Sequence, residues 1–192
     1  MSLFFPLSLL FSGIAYTFWD RLPLVSQLSE YLRFIAILFV NTVFFILLHS
    51  EKDFFHQTHL LLSLSGAILL LLTIIKGIKL ETRIKRVKSG KLSLSSDESI
   101  EMAYSNIINI GGAGLILLML AVLSGMLLID IQPTNLVLKS FFAILAVVIY
   151  LGILSLIKFN NLKLKNAVRM LLLSFIMILV SYSLSNAAIS LS

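Results

Sequence analysis

Three histidines, His49, His56 and His59, lie within eleven positions of one another, and the chain has no others. Neutral imidazole is a common ligand for haem iron and for transition metals. His56 and His59 are three residues apart, so a helix running through both places them on one face. His49 closes the preceding apolar run and can approach them across a short loop. These three are the candidate haem or metal ligands. A polar loop at a membrane boundary, with Glu51 and Asp53, accounts for the same residues, because a His-x-x-His pair lacks a third fixed ligand. The absence of cysteine excludes a disulfide framework, a CxxC thiol pair and a thiolate metal site. No catalytic constellation is visible, and no enzymatic activity is expected.

The elements that position the histidines are apolar. Hydrophobic residues make up 59% of the chain and charged residues 12%, against about 45–50% and about 25% in a soluble domain. One water-soluble core of this size cannot hide that surface, so lipid must be its solvent. Six apolar segments read as transmembrane helices, at about 3–19, 31–49, 57–79, 107–129, 136–157 and 167–191. The fold class is therefore all-α, a polytopic bundle of six transmembrane helices forming one membrane domain over residues 1–192. The first segment has no Lys or Arg before Arg21 and reads as a retained helix, not a cleaved leader. Residues 80–99 form a basic linker, in which Ser89-Gly90 reads as a helix stop and Ser95 with Glu98 as a capping box. The third helix can run past the membrane through Glu81–Lys88 as a basic, water-exposed end.

Charge sets the orientation. Thirteen of the fifteen cations fall in the first, third and fifth connections or beside them, leaving Lys52 and Lys139 on the other side. The positive-inside rule then predicts a cytoplasmic basic linker, with both termini and all three histidines outside, in a membrane expected to be a bacterial inner membrane. The formal charge of +6 thus lies beside apolar runs, which argues against nucleic-acid binding.

No charged residue falls near the middle of any span. That counts against an ion-coupled transporter or a proton pump, and a b-type cytochrome needs histidine pairs within spans. Asn41, Thr73, Asn106, Asn109, Tyr150 and Asn186 read as interhelical hydrogen-bonding residues. Helix four carries Gly111-Gly112-Ala113-Gly114, Ala121 and Ser124-Gly125. Helix six carries Ser174, Ser181, Ser185, Ala188 and Ser192. Both read as packing faces, internal or toward a membrane protein partner.

A helix-end histidine, a basic linker, a small-residue helix closing in Ser-Gly and two further spans follow one another over about His56–Leu191. This order resembles the membrane core of the cytochrome c assembly superfamily, the haem-handling inner-membrane proteins of the CcsA and HemX type. The resemblance implies an accessory protein of cytochrome or respiratory-complex biogenesis, with haem as its cofactor. It puts His59 where such proteins place a helix-end histidine, and Asn109 near the place of a second one. The loop Lys158–Lys165 has no histidine and the tryptophan-rich segment is absent, with Trp19-Asp20-Arg21-Leu22 echoing its tail. The alternatives are a non-catalytic structural or scaffold subunit of a membrane complex and the membrane part of a transporter.

Overall fold

A computed structural model describes residues 4–19, 30–48, 54–89, 100–127, 136–159 and 164–190. It contains six helices: α1 (Phe4–Trp19), α2 (Glu30–Leu48), α3 (Phe54–Lys88), α4 (Ile100–Leu127), α5 (Leu136–Lys158) and α6 (Leu164–Ser190). There is no strand among the described residues. The reason is the solvent. In lipid a backbone must satisfy its own N–H and C=O groups, and an uncharged run does so as a helix. Hydroxyls follow the same rule. Ser12, Thr42 and Thr73 each donate to the carbonyl four residues back, at 2.7, 2.8 and 2.7 Å. The capping box at Ser95–Glu98 lies outside the described residues.

The chain is an all-α helical membrane bundle. Helices α3, α4, α5 and α6 are long and apolar enough to cross a membrane, while the apolar parts of α1 and α2 are shorter. At 16 residues, α1 extends about 24 Å against a hydrocarbon core of about 30 Å.

Helix α3 is the hub. It packs on α4 along most of its length and also touches α6, α1 and α2. Its 35 residues span about 52 Å, so it must project beyond the bilayer. The projecting part is the basic end, closed at Ser89, whose N–H donates to Lys85 O at 3.0 Å. Glycines set the closest approaches. A Cβ added at Gly66 would lie 2.7 Å from Leu118 Cγ, one at Gly114 3.0 Å from Leu69 Cβ, and one at Gly77 2.8 Å from Val168 Cγ2. Across α3 and α4 the paired positions run in opposite senses in constant register, which marks an antiparallel pair. Polar bonds also join other helices: Asn41 Nδ2 donates to Ser12 Oγ at 3.0 Å, and Ser174 Oγ to Ala146 O at 2.8 Å. The outer faces are apolar. On α1, for example, Leu7, Leu10, Phe11, Ile14 and Phe18 are exposed while Phe5, Ser8, Leu9, Ser12 and Tyr16 are buried. That pattern is inside-out for water and right for lipid.

Candidate functional site at the histidine end of α3

Helix α3 starts at Phe54, so His56 and His59 belong to one helix. Thr58 Oγ1 donates to Phe54 O at 2.8 Å and closes this first turn. His59 turns toward α4. Its Nδ1 lies 2.9 Å from Ala121 O and 3.1 Å from Ser124 Oγ. Ser124 Oγ itself donates to Ala121 O at 3.0 Å. A carbonyl oxygen has no proton to give, so Nδ1 carries the hydrogen in its bond to Ala121. In the neutral ring Nε2 is then the lone-pair nitrogen.

Gly125 makes room for this ring. A Cβ there would lie 2.9 Å from His59 Cε1 and 3.4 Å from Nδ1, closer than the ring can tolerate without moving. The Ser124-Gly125 pair near the end of α4 is therefore a seat for one imidazole: a carbonyl and a hydroxyl to bond it, and a missing side chain to admit it.

His56 is exposed. It follows Phe54 and Phe55, which are 76% and 72% exposed, as aromatic residues at a membrane interface are. Three residues turn a helix by about 300°, so the two imidazoles stand about 60° apart around α3. That angle is enough to dock one on α4 and leave the other outside. His49 lies outside the described residues. Among the described residues no three His, Cys, Asp or Glu side chains come together as a metal site. Asn109, at the position the resemblance gives a second ligand, is exposed. It lies about 22 Å along α4 from Ser124.

If this end of the bundle held a haem, His59 would be the described residue to bind it, through Nε2. A ligating histidine commonly gives its other ring N–H to a carbonyl, which fixes tautomer and orientation. His59 makes that bond to Ala121. The chemistry a haem would add here is redox or transfer of the group itself. This chain's part would be to hold His59 and present Nε2.

The other polar residues have different fates. Asn41 makes the interhelical bond described above. Thr73 bonds within its own helix. The hydroxyl of Tyr150 is fully buried and has no hydrogen-bond partner. The side chain of Asn186 lies outside the described residues. Lys76 is only 5% exposed, although its place at the end of an apolar run suggests a solvated charge. Sequence reasoning missed this burial, and it also missed the Gly125 seat. Gly125 was visible as a small residue, but only the α3–α4 register shows what fills the space beside it.

Neither a protein-family model, nor a curated protein, nor a solved structure matches the chain.

Proposed function

We propose that this protein is a non-catalytic scaffold subunit of a membrane complex. One observation carries the reading: α4 has two small-residue faces, and only one is filled. Gly111 and Gly114 are buried against α3 and α5, whereas Gly112 has nothing within 4 Å of where a Cβ would stand. Ala113 beside it is exposed, with Ile116, Leu120 and Leu123 continuing the outward face. Small residues on an open face let a second helix approach closely in lipid, where packing drives association. Ser174 and Ser181 of the α6 seam are buried inside the bundle, so we assign partner contact to the open face of α4. The proposal includes a bacterial inner membrane, with the basic ends of α3 and α6 in the cytoplasm and both termini outside.

The test exploits the absence of cysteine. Gly112→Cys in the full chain carries a single thiol and is crosslinked in membranes. Gly112→Leu is assayed for co-purifying membrane proteins. Crosslinked species in the Gly112→Cys variant, together with partners that Gly112→Leu loses at unchanged expression, support the reading. A monomer that crosslinks to nothing removes it.

A second reading is haem handling of the cytochrome assembly type, favoured by the tautomer that Ala121 imposes on His59. Here His59 Nε2 would hold the haem iron, and His56, His49 or a partner would supply a second ligand. An absorbance spectrum of the purified protein with a Soret band, lost in His56→Ala/His59→Ala, supports it. No Soret band, with normal cytochrome maturation in the double variant, removes it.

A further inference from the structure

At the opposite end from His59, the outer face of α6 has the charge pattern and length of a phospholipid. Lys165 and Arg169 are exposed and four residues apart, so they share one helical face. The same face continues through Leu172, Ile176 and Val180, which are 47%, 47% and 39% exposed. From Arg169 to Val180 the helix rises about 16 Å, close to the thickness of one hydrocarbon leaflet, about half of 30 Å.

The level of the two cations follows from α3. Between Phe54 and Ile75 the helix carries no Asp, Glu, Lys or Arg, and that stretch measures about 33 Å, enough to fill the hydrocarbon core. Gly77 meets Val168 just beyond it. Glu81, about 9 Å past Ile75, lies within electrostatic reach of both Lys165 and Arg169. The headgroup zone extends roughly 5–8 Å beyond the core on each side. Two long cationic side chains at this height therefore reach phosphate groups, while a soluble partner would have to enter the headgroup layer to meet them. Glu81, the acidic neighbour, is held by Lys85 at 2.7 Å. Arg86 and Lys88 are also exposed at this end and add to the positive field.

We propose that Lys165 and Arg169 bind the headgroup of an anionic phospholipid, whose chains lie along Leu172, Ile176 and Val180. This site is independent of the histidine end and of the α4 face.

The test uses the full chain in neutral detergent, titrated with phosphatidylglycerol or with phosphatidylcholine, and reads the thermal unfolding midpoint. Phosphatidylglycerol should raise the midpoint saturably, and phosphatidylcholine should do so far less. In Lys165→Gln/Arg169→Gln the half-saturating concentration should rise roughly fivefold for each charge removed, roughly 25-fold in all. Lys165→Arg/Arg169→Lys should bind like the parent, which separates charge from folding. Raised ionic strength should weaken binding to the parent protein. Equal responses to the two lipids would overturn the proposal, as would an unchanged double variant. Inorganic phosphate reproducing the full effect would also overturn it, by showing a free-anion site instead of a lipid site.

Discussion

Tyr150→Phe should stabilise this protein. Tyr150 is fully buried, and its hydroxyl has no hydrogen-bond partner. The ring lies across the glycine notch of α4, so that a Cβ added at Gly111 or Gly114 would stand 3.2 or 3.4 Å from the hydroxyl oxygen. The Thr73 hydroxyl is the polar group beside it; its proton goes to Leu69 O at 2.7 Å, and its oxygen, which could accept from Tyr150, is not placed in hydrogen-bond geometry with the Tyr150 hydroxyl. An unsatisfied buried hydroxyl costs about 1–3 kcal/mol. Deleting one oxygen leaves a void of at most roughly 10–15 Å³. At about 24 cal/mol per Å³ that void costs about 0.3 kcal/mol. The expected net gain is about 0.7–2.7 kcal/mol, since every apolar contact of the ring is kept. Reversible unfolding in mixed micelles measures it, with Tyr150→Ala as the control that should lose about 3–5 kcal/mol through the cavity. An unchanged or lowered stability for Tyr150→Phe would refute the reasoning, because it would mean that the hydroxyl is bonded in the folded bundle.

Further outcomes can be measured in the same way. Gly66→Ala puts a methyl 2.7 Å from Leu118 Cγ and should cost about 1–3 kcal/mol, whereas Gly112→Ala meets open space and should stabilise by roughly 0.5–1 kcal/mol; equal effects would deny that α3 and α4 meet closely at Gly66 while Gly112 faces outward. Ser174→Ala removes the bond to Ala146 O and should cost about 0.6 kcal/mol, the average for such bonds in membranes; a loss near zero would show that the bond does not hold α6 to α5. The hydrogen bond from Lys85, then its charge, holds the Glu81 carboxylate below its ordinary pKa. Its small contribution is present above the unfolded carboxylate pKa and is lost as pH falls through the lower folded value. Midpoints of parent and Glu81→Gln should therefore converge on acidification, and a gap that widens toward low pH would reverse the sign.

Much of the fold is written in where charge is missing. The uncharged run Leu60–Ile75 and the cations that follow it are enough to define α3 and its basic extension, because lipid penalises charge and free backbone groups alike. The meeting of faces is not legible in this way. Nothing in the composition of α4 says that Gly125 rather than Gly112 clears space, since both are bare glycines on one helix. Their difference arises from rotation against α3, which single-chain periodicity does not report. The histidines show the same limit. Their spacing puts His56 and His59 on neighbouring positions of a face, but a face about 60° wide can straddle the edge of a contact, with one ring bonded and the other exposed. Burial of Lys76 is also a product of assembly, because α3 is surrounded by four other helices while a lone span would leave that side chain at the boundary.

His59 is where the two functional readings part, and they part at one atom. Its Nδ1 bond to Ala121 O at 2.9 Å serves packing and ligation equally, so removing the whole ring cannot distinguish them. Asparagine can. Its side-chain N–H₂ stands close to where the imidazole Nδ1–H stands, and it has nothing in the place of Nε2. His59→Asn should therefore keep the bond to α4, whereas His59→Ala should lose it along with the packing over Gly125. In unfolding measurements Asn should stay within about 0.6 kcal/mol of the parent, the average worth of a bond of this kind, and Ala should fall further. If the residue is only a clamp between α3 and α4, the Asn variant also keeps every co-purifying partner and every cellular phenotype of the parent. If Nε2 binds iron, the Asn variant folds like the parent but loses Soret absorbance and cytochrome maturation. An Asn variant as unstable as the Ala variant would show that the Nδ1 bond is not what seats the ring, and both readings would then lose their common geometric basis.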